Sequence, residues 1–187
     1  MTRQRKIFII IIGLHFSIFS FGQIAPSGLG SKNIQQEILD HTRTYDSLVL
    51  FNKSGFWNNN DVVKGFLFKK DGCYKVSILF RKKNELDLIK KINIEKEQVN
   101  DTIKVFLTTN FLKWKYLNSD SLHIKTKTNL VTEISDGQNY SILFVFPKKE
   151  TCLYLDSYEP EFYQENVKTS DRQIFIDIFE KLKSYIN

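Results

Sequence analysis

Residues 62–80 read Val62-Val63-Lys64-Gly65-Phe66-Leu67-Phe68-Lys69-Lys70-Asp71-Gly72-Cys73-Tyr74-Lys75-Val76-Ser77-Ile78-Leu79-Phe80, and this stretch decides the fold class. An apolar, aromatic-rich run from Val62 to Phe68 reaches Asp71-Gly72, a dipeptide suited to the left-handed conformations of a tight hairpin turn. Beyond the turn, Tyr74, Val76, Ile78 and Phe80 alternate with Lys75, Ser77 and Leu79, which places one set of side chains on each face of a strand. A β-hairpin is the reading.

Working outward, a second Asp-Gly at Asp136-Gly137 separates Leu130–Ile134 from Tyr140–Phe146, and Pro147-Lys148-Lys149-Glu150 turns the chain into Cys152–Leu155. These segments predict a meander of three strands, with Leu122–Lys127 as a fourth. The apolar run Leu48–Phe51 predicts a short buried strand. Helical spacing appears in three places. Ile34, Ile38 and Leu39 predict a first helix from about Asn33 to Thr44, with Asn33 and Gln36 as a capping pair. Val99, Ile103, Phe106, Leu107, Asn110, Phe111 and Trp114 share one side of a helix expected from about Glu95 to Leu117. Ile174, Phe175, Ile178, Phe179, Leu182 and Ile186 form the stripe of a terminal amphipathic helix, with Ser170 and Gln173 as its capping box. The expected architecture is α+β: a mostly antiparallel sheet with about three helices packed on it in two layers.

The first 22 residues read as a cleavable signal peptide. Arg3, Arg5 and Lys6 precede a 15-residue apolar stretch, Ile7–Phe21, and small residues at Ser20 and Gly22 place the cut before Gln23. Fifteen residues fall short of the roughly 20 that span a bilayer core, so stable membrane insertion after cleavage is not expected. Residues 23–187 then form a single domain, with residues 23–31 as an N-terminal arm. Three of the 27 basic residues and none of the 21 acidic ones lie in the signal, so the whole-chain charge of +6 falls to +3 for the mature chain. That mild excess calls for no anionic partner. The Lys-, Ile- and Asn-rich composition behind a Phe-Gly-Gln signal end resembles exported proteins of Gram-negative bacteria, which implies a periplasmic or secreted location. In such a compartment Cys73 and Cys152 either join in a disulfide or remain as buried free thiols, and both outcomes stay open.

No nucleophile elbow, P-loop, dinucleotide fingerprint or paired Cys-x-x-Cys occurs, so no cofactor and no metal are expected. Lys64-Gly65-Phe66-Leu67-Phe68 departs from an RNA-recognition strand at Leu67, and nucleic acid is not an expected partner. The mature histidines are His41 and His123; the first lies one helical turn after Glu37, a spacing typical of a surface contact. Two segments carry chemistry. Gly55-Phe56-Trp57-Asn58-Asn59-Asn60-Asp61 sets aromatics beside a polar turn, making Trp57 and Asn59 candidate binding residues, although Trp57 also suits a cap on the core. The segment from Tyr154 to Glu165, expected as a loop, holds three tyrosines and four carboxylates. Asp156, Glu159 and Glu161, with His123, are the candidate acid–base residues, and Tyr158 and Tyr163 are candidate binding residues; carboxylates before a helix are also ordinary dipole-compatible groups. The expected function is an exported, non-catalytic binding or interaction module for a protein partner or small-molecule ligand. The alternatives are a small periplasmic hydrolase using the 156–165 carboxylates, and a periplasmic neutraliser of a toxin or exported enzyme.

Overall fold

A computed structural model describes residues 28–55, 62–83, 86–99, 101–124 and 137–186. Among these described residues six strands, β1 (Ser47–Gly55), β2 (Val62–Lys69), β3 (Gly72–Lys83), β4 (Leu86–Val99), β5 (Gln138–Phe146) and β6 (Thr151–Tyr158), form one sheet in the order β4-β3-β2-β1-β5-β6. All neighbours are antiparallel. Among the described residues five α-helices accompany the sheet: α1 (Lys32–Thr42), α2 (Asp101–Lys115), α3 (Ser119–His123), α4 (Pro160–Asn166) and α5 (Ser170–Ile186). The hairpin read from Asp71-Gly72 is present, with Lys69 opposite Gly72 and Val62 opposite Leu79. No helix among the described residues is long and apolar enough to cross a membrane.

The fold class is α+β, as the sequence indicates, and strand alternation explains how the helices are distributed. On β1, Val49 and Phe51 join a cluster with Ile103, Leu107 and Trp114 of α2, Leu122 of α3, and Phe175, Phe179 and Leu182 of α5. Leu48 and Leu50 point the other way, into a cluster with Ile34, Ile38 and Leu39 of α1. A central strand with apolar side chains on both faces requires cover on both. Helices therefore pack on two sides of the sheet, not one. On the α5 side, Phe179 meets Phe51 edge-on at 5.6 Å and lies 4.5 Å from Tyr140 between ring centroids.

Several expectations shift. The segment Glu95–Val99 belongs to β4, and the helix predicted from Glu95 begins at Asp101. Leu122 and His123, predicted as strand, close α3, whose Asn118 cap accepts a 2.9 Å bond from the Asp120 N–H. Residues 125–127 of that predicted strand, and Leu130–Ile134, lie outside the described residues. The expected loop after Tyr154 is strand to Tyr158 and then helix α4. The caps also move: α1 starts after Ser31, and α5 is capped by Thr169, whose hydroxyl accepts from the Arg172 N–H at 3.2 Å.

Cys73 and Cys152 are free. Cys73 sits on β3 in the α5-side core and Cys152 on β6 against the α1-side core, with β2, β1 and β5 between them. Four strand spacings of about 4.8 Å put them roughly 19 Å apart, against the roughly 7 Å that a disulfide can bridge. Burial pushes the Cys73 thiol up to about 12 and raises that of Cys152, so neither carries much thiolate near neutral pH.

Candidate functional site

The acid- and tyrosine-rich segment is drawn into structure rather than gathered in one cleft. Alternation along β6 sends Tyr154, Asp156 and Tyr158 to the α1 side of the sheet and Leu155 to the other. Glu159 adopts a left-handed conformation at φ 41°, held by its N–H on the Gln138 carbonyl at 2.8 Å and by its Oε1, which accepts from the Gln138 N–H. The same corner explains Gly137: a Cβ there would lie 2.1 Å from Tyr158 Oη and 2.8 Å from Glu159 Cγ. Glu161, in the first turn of α4, accepts a hydrogen bond from Tyr140, whose hydroxyl also meets Lys53 Nζ. Burial, with Glu161 second, raises the Tyr140 pKa. Tyr163 is buried, 6.5 Å from Tyr158 between ring centroids. Trp57 and Asn59 lie outside the described residues.

Two of the predicted acid–base residues do meet. His123 Nε2 stands 3.5 Å from Asp156 Oδ1 across the β6 edge, with side chains 44% and 31% exposed. The hydrogen bond that His123 donates to Asp156 raises the His123 pKa, against partial burial and the nearby Arg172. A histidine with a raised pKa gives stability that is complete below its unfolded value near 6.5 and is lost as pH rises through the folded value. The Tm difference between wild type and His123→Gln is therefore expected to be largest at pH 5.5 and to shrink by pH 8.5. Melts across that range check it, and a difference independent of pH would refute the pairing.

What fixes His123 is Arg172, a residue the sequence reading passed over. It is fully buried on α5. Its guanidinium donates to the carbonyls of Leu122 at 3.3 Å, Val167 at 2.8 Å and Ser121 at 3.3 Å, and to that of Ile124. Ser157 Oγ donates to the same Leu122 carbonyl at 2.8 Å. The orphan carbonyls at the end of α3 thus converge on one guanidinium, with Ser157 and Thr169 as further donors, and this docks the helix on β6 and α5. The sequence held a signal for this: Arg172 falls in register with Phe175 and Phe179 on the apolar stripe. Among the described residues no three His, Cys, Asp or Glu side chains stand close enough together to hold a metal ion.

A different place offers space. Under α2, where β1 begins and β2 and β5 end, a cavity of about 220 Å³ is lined by Ser47, Val49, Phe68, Leu107, Trp114 and Phe144, with Phe146 beside them. The α2 stripe Ile103, Leu107, Asn110 and Trp114 arises from helical spacing and lays the indole 4.7 Å from the Phe144 ring. Trp114 is 1% exposed, yet its Nε1 has no hydrogen-bond acceptor among the described residues. A buried indole N–H ordinarily finds a partner, and leaving a buried donor unmade costs about 1–3 kcal/mol. Sequence reasoning placed Trp114 on the core face of its helix but gave no sign of the space beside it. A second cavity, of about 90 Å³, lies beneath His41 and Tyr45 on the α1 side.

No family model, curated protein or solved structure matches this chain.

Proposed function

We propose that this protein is an exported, non-catalytic binding module that holds a small molecule in the cavity beneath α2. The observation that carries the reading is the largely apolar space of about 220 Å³ beneath α2, with Ser47 as a polar side chain on its described wall. Ligand sites combine largely apolar walls with a few directed polar groups, and this cavity has that composition. Export is supported by the signal-like residues 1–22. The hydrolase alternative finds less support, because Glu159 is committed to the Gln138 N–H and Glu161 to Tyr140, leaving neither carboxylate poised for a substrate.

The test is a native mass spectrum of the protein exported behind its own signal and purified gently. The expected spectrum shows a chain beginning at Gln23 and carrying a small organic adduct. Leu107→Trp, which fills the cavity, is expected to lose the adduct while keeping the fold. A wild-type protein that carries no adduct, and that a panel of small aromatic compounds stabilises no more than it stabilises Leu107→Trp, would overturn the binding reading.

A further inference from the structure

Among the residues lining the cavity beneath α2, Ser47 and Phe146 are half-buried while Val49, Leu107, Trp114 and Phe144 are buried, so the space meets solvent where β1 begins and β5 ends. Lysines ring that mouth. Lys149 Nζ stands 6.0 Å from the centre of the Phe146 ring, and Lys148, on the same short turn Pro147–Lys149, donates to Asp46 Oδ1. Asp46 adjoins Ser47 in the chain and is anchored by its N–H on the carbonyl of Phe68, a further cavity residue, at 3.0 Å. The bond from Lys148 holds the Asp46 carboxyl below its ordinary range, and the charges of Lys70 and Lys104 act in the same direction. Lys104 lies one turn of α2 before Leu107 of the cavity wall. Four ammonium groups thus gather about one carboxylate. Lys69, Asp71 and Glu150 share this end of the sheet, and the balance among the described side chains stays positive.

An apolar interior behind a cationic mouth selects a ligand with two ends. Hydrocarbon gains by leaving water for the wall of Val49, Leu107 and Phe144, whereas an ionised group loses too much hydration to follow it and must stop at the mouth. There an anion meets unbalanced positive charge and keeps contact with water. Volume limits the apolar end: a cavity of about 150 Å³ accepts benzene, so the space here takes roughly nine heavy atoms by the same ratio. Resting on the binding reading above, we infer that the ligand is a small amphiphilic monoanion of the medium-chain carboxylate type, its apolar body beneath α2 and its carboxylate at the mouth among Lys70, Lys104, Lys148 and Lys149.

The test uses three probes with the same chain and different heads: octanoate, 1-octanol and octylammonium. Each is titrated calorimetrically into the mature protein near neutral pH, where the carboxylate is ionised. Octanoate is expected to bind roughly 3- to 10-fold more tightly than 1-octanol, the worth of a partly solvated charge contact, with octylammonium the weakest. That preference should shrink at about 0.5 M salt, where exposed charges are screened. It should also fall to about one in the double variant Lys104→Gln, Lys149→Gln, whose exposed side chains can be neutralised without disturbing the core. Asp46→Asn should act the other way and tighten octanoate by roughly 3-fold, because Lys148 then loses its carboxylate partner. Equal binding of octanoate and 1-octanol, with both lost in Leu107→Trp, would overturn the anionic class and leave the cavity reading in place. Octylammonium binding most tightly would overturn the sign of the charge. A preference for octanoate that survives both salt and the double variant would overturn the role of the lysines. Binding of none of the three to folded protein would take the cavity reading down as well.

Discussion

Arg172→Met is expected to lower the free energy of unfolding by about 2 kcal/mol, read as an earlier denaturant midpoint at unchanged slope. Methionine matches the stem of arginine and preserves the packing near Phe175, so the loss isolates the guanidinium. Removing it strands the carbonyls of Ile124 and Val167, whereas the Leu122 carbonyl keeps Ser157 and the Ser121 carbonyl keeps Thr169. Each buried acceptor left unmade costs about 1 kcal/mol or more, partly offset because a guanidinium no longer has to be desolvated. That desolvation is visible as the lowered Arg172 pKa. Arg172→Lys is expected to fall between wild type and Arg172→Met, since an ammonium supplies donors from a single point and cannot fork across several carbonyls. Equal stability of all three proteins would contradict the described hub.

Gly65→Ala is expected to destabilise the protein by about 3 kcal/mol in the same assay. The sign is informative. Removing a glycine from a strand interior ordinarily stabilises by about 0.5–1 kcal/mol, because the unfolded chain loses freedom. Here a Cβ would stand 2.0 Å from the Val49 carbonyl oxygen and 2.9 Å from Leu50 Cδ2. Backbone cannot swing aside as a side chain tip can, and Gly65 is paired on both sides, with Leu50 and with Val76. Relief therefore requires parting β1 from β2 at the middle of the sheet. A neutral or stabilising substitution would show that the two strands do not approach so closely.

Local chemistry was the legible part of this fold. Asp71-Gly72 with alternating flanks, and the stripe from Ile174 to Ile186, each specify one element through short-range rules, and both are present. β4 was obscured because it lies at the sheet edge, where charged residues dilute the alternation, and because Val99 and Ile103 continue at helical spacing across its end. Its pairing with β3 is also interrupted between Tyr74 and Val76 and between Leu79 and Phe80. The strand predicted at Leu122 overlooked Asn118, whose cap marks a helix. For the site, His123 and Asp156 were each recognisable by residue type, yet 33 positions separate them and only the docking of α3 on β6 makes them neighbours. Cavity volume is a property of packing between elements and leaves no mark in the order of residues.

The place of β1 at the centre of the sheet bears on how the molecule forms. Its neighbour β2 follows within a few residues, but its other neighbour is β5, so that Leu48 pairs with Val145, 97 positions later. β2, β3 and β4 can zip through local turns, and so can β5 and β6; the seam between the two blocks closes the longest loop in the sheet. Such non-local closure is the slow kind of folding step. As the chain emerges N-terminus first, β1 must wait as a bare edge, with Leu48, Val49, Leu50 and Phe51 uncovered on that side, until Phe146 has followed. Assembly of the core is thereby postponed until most of the chain exists.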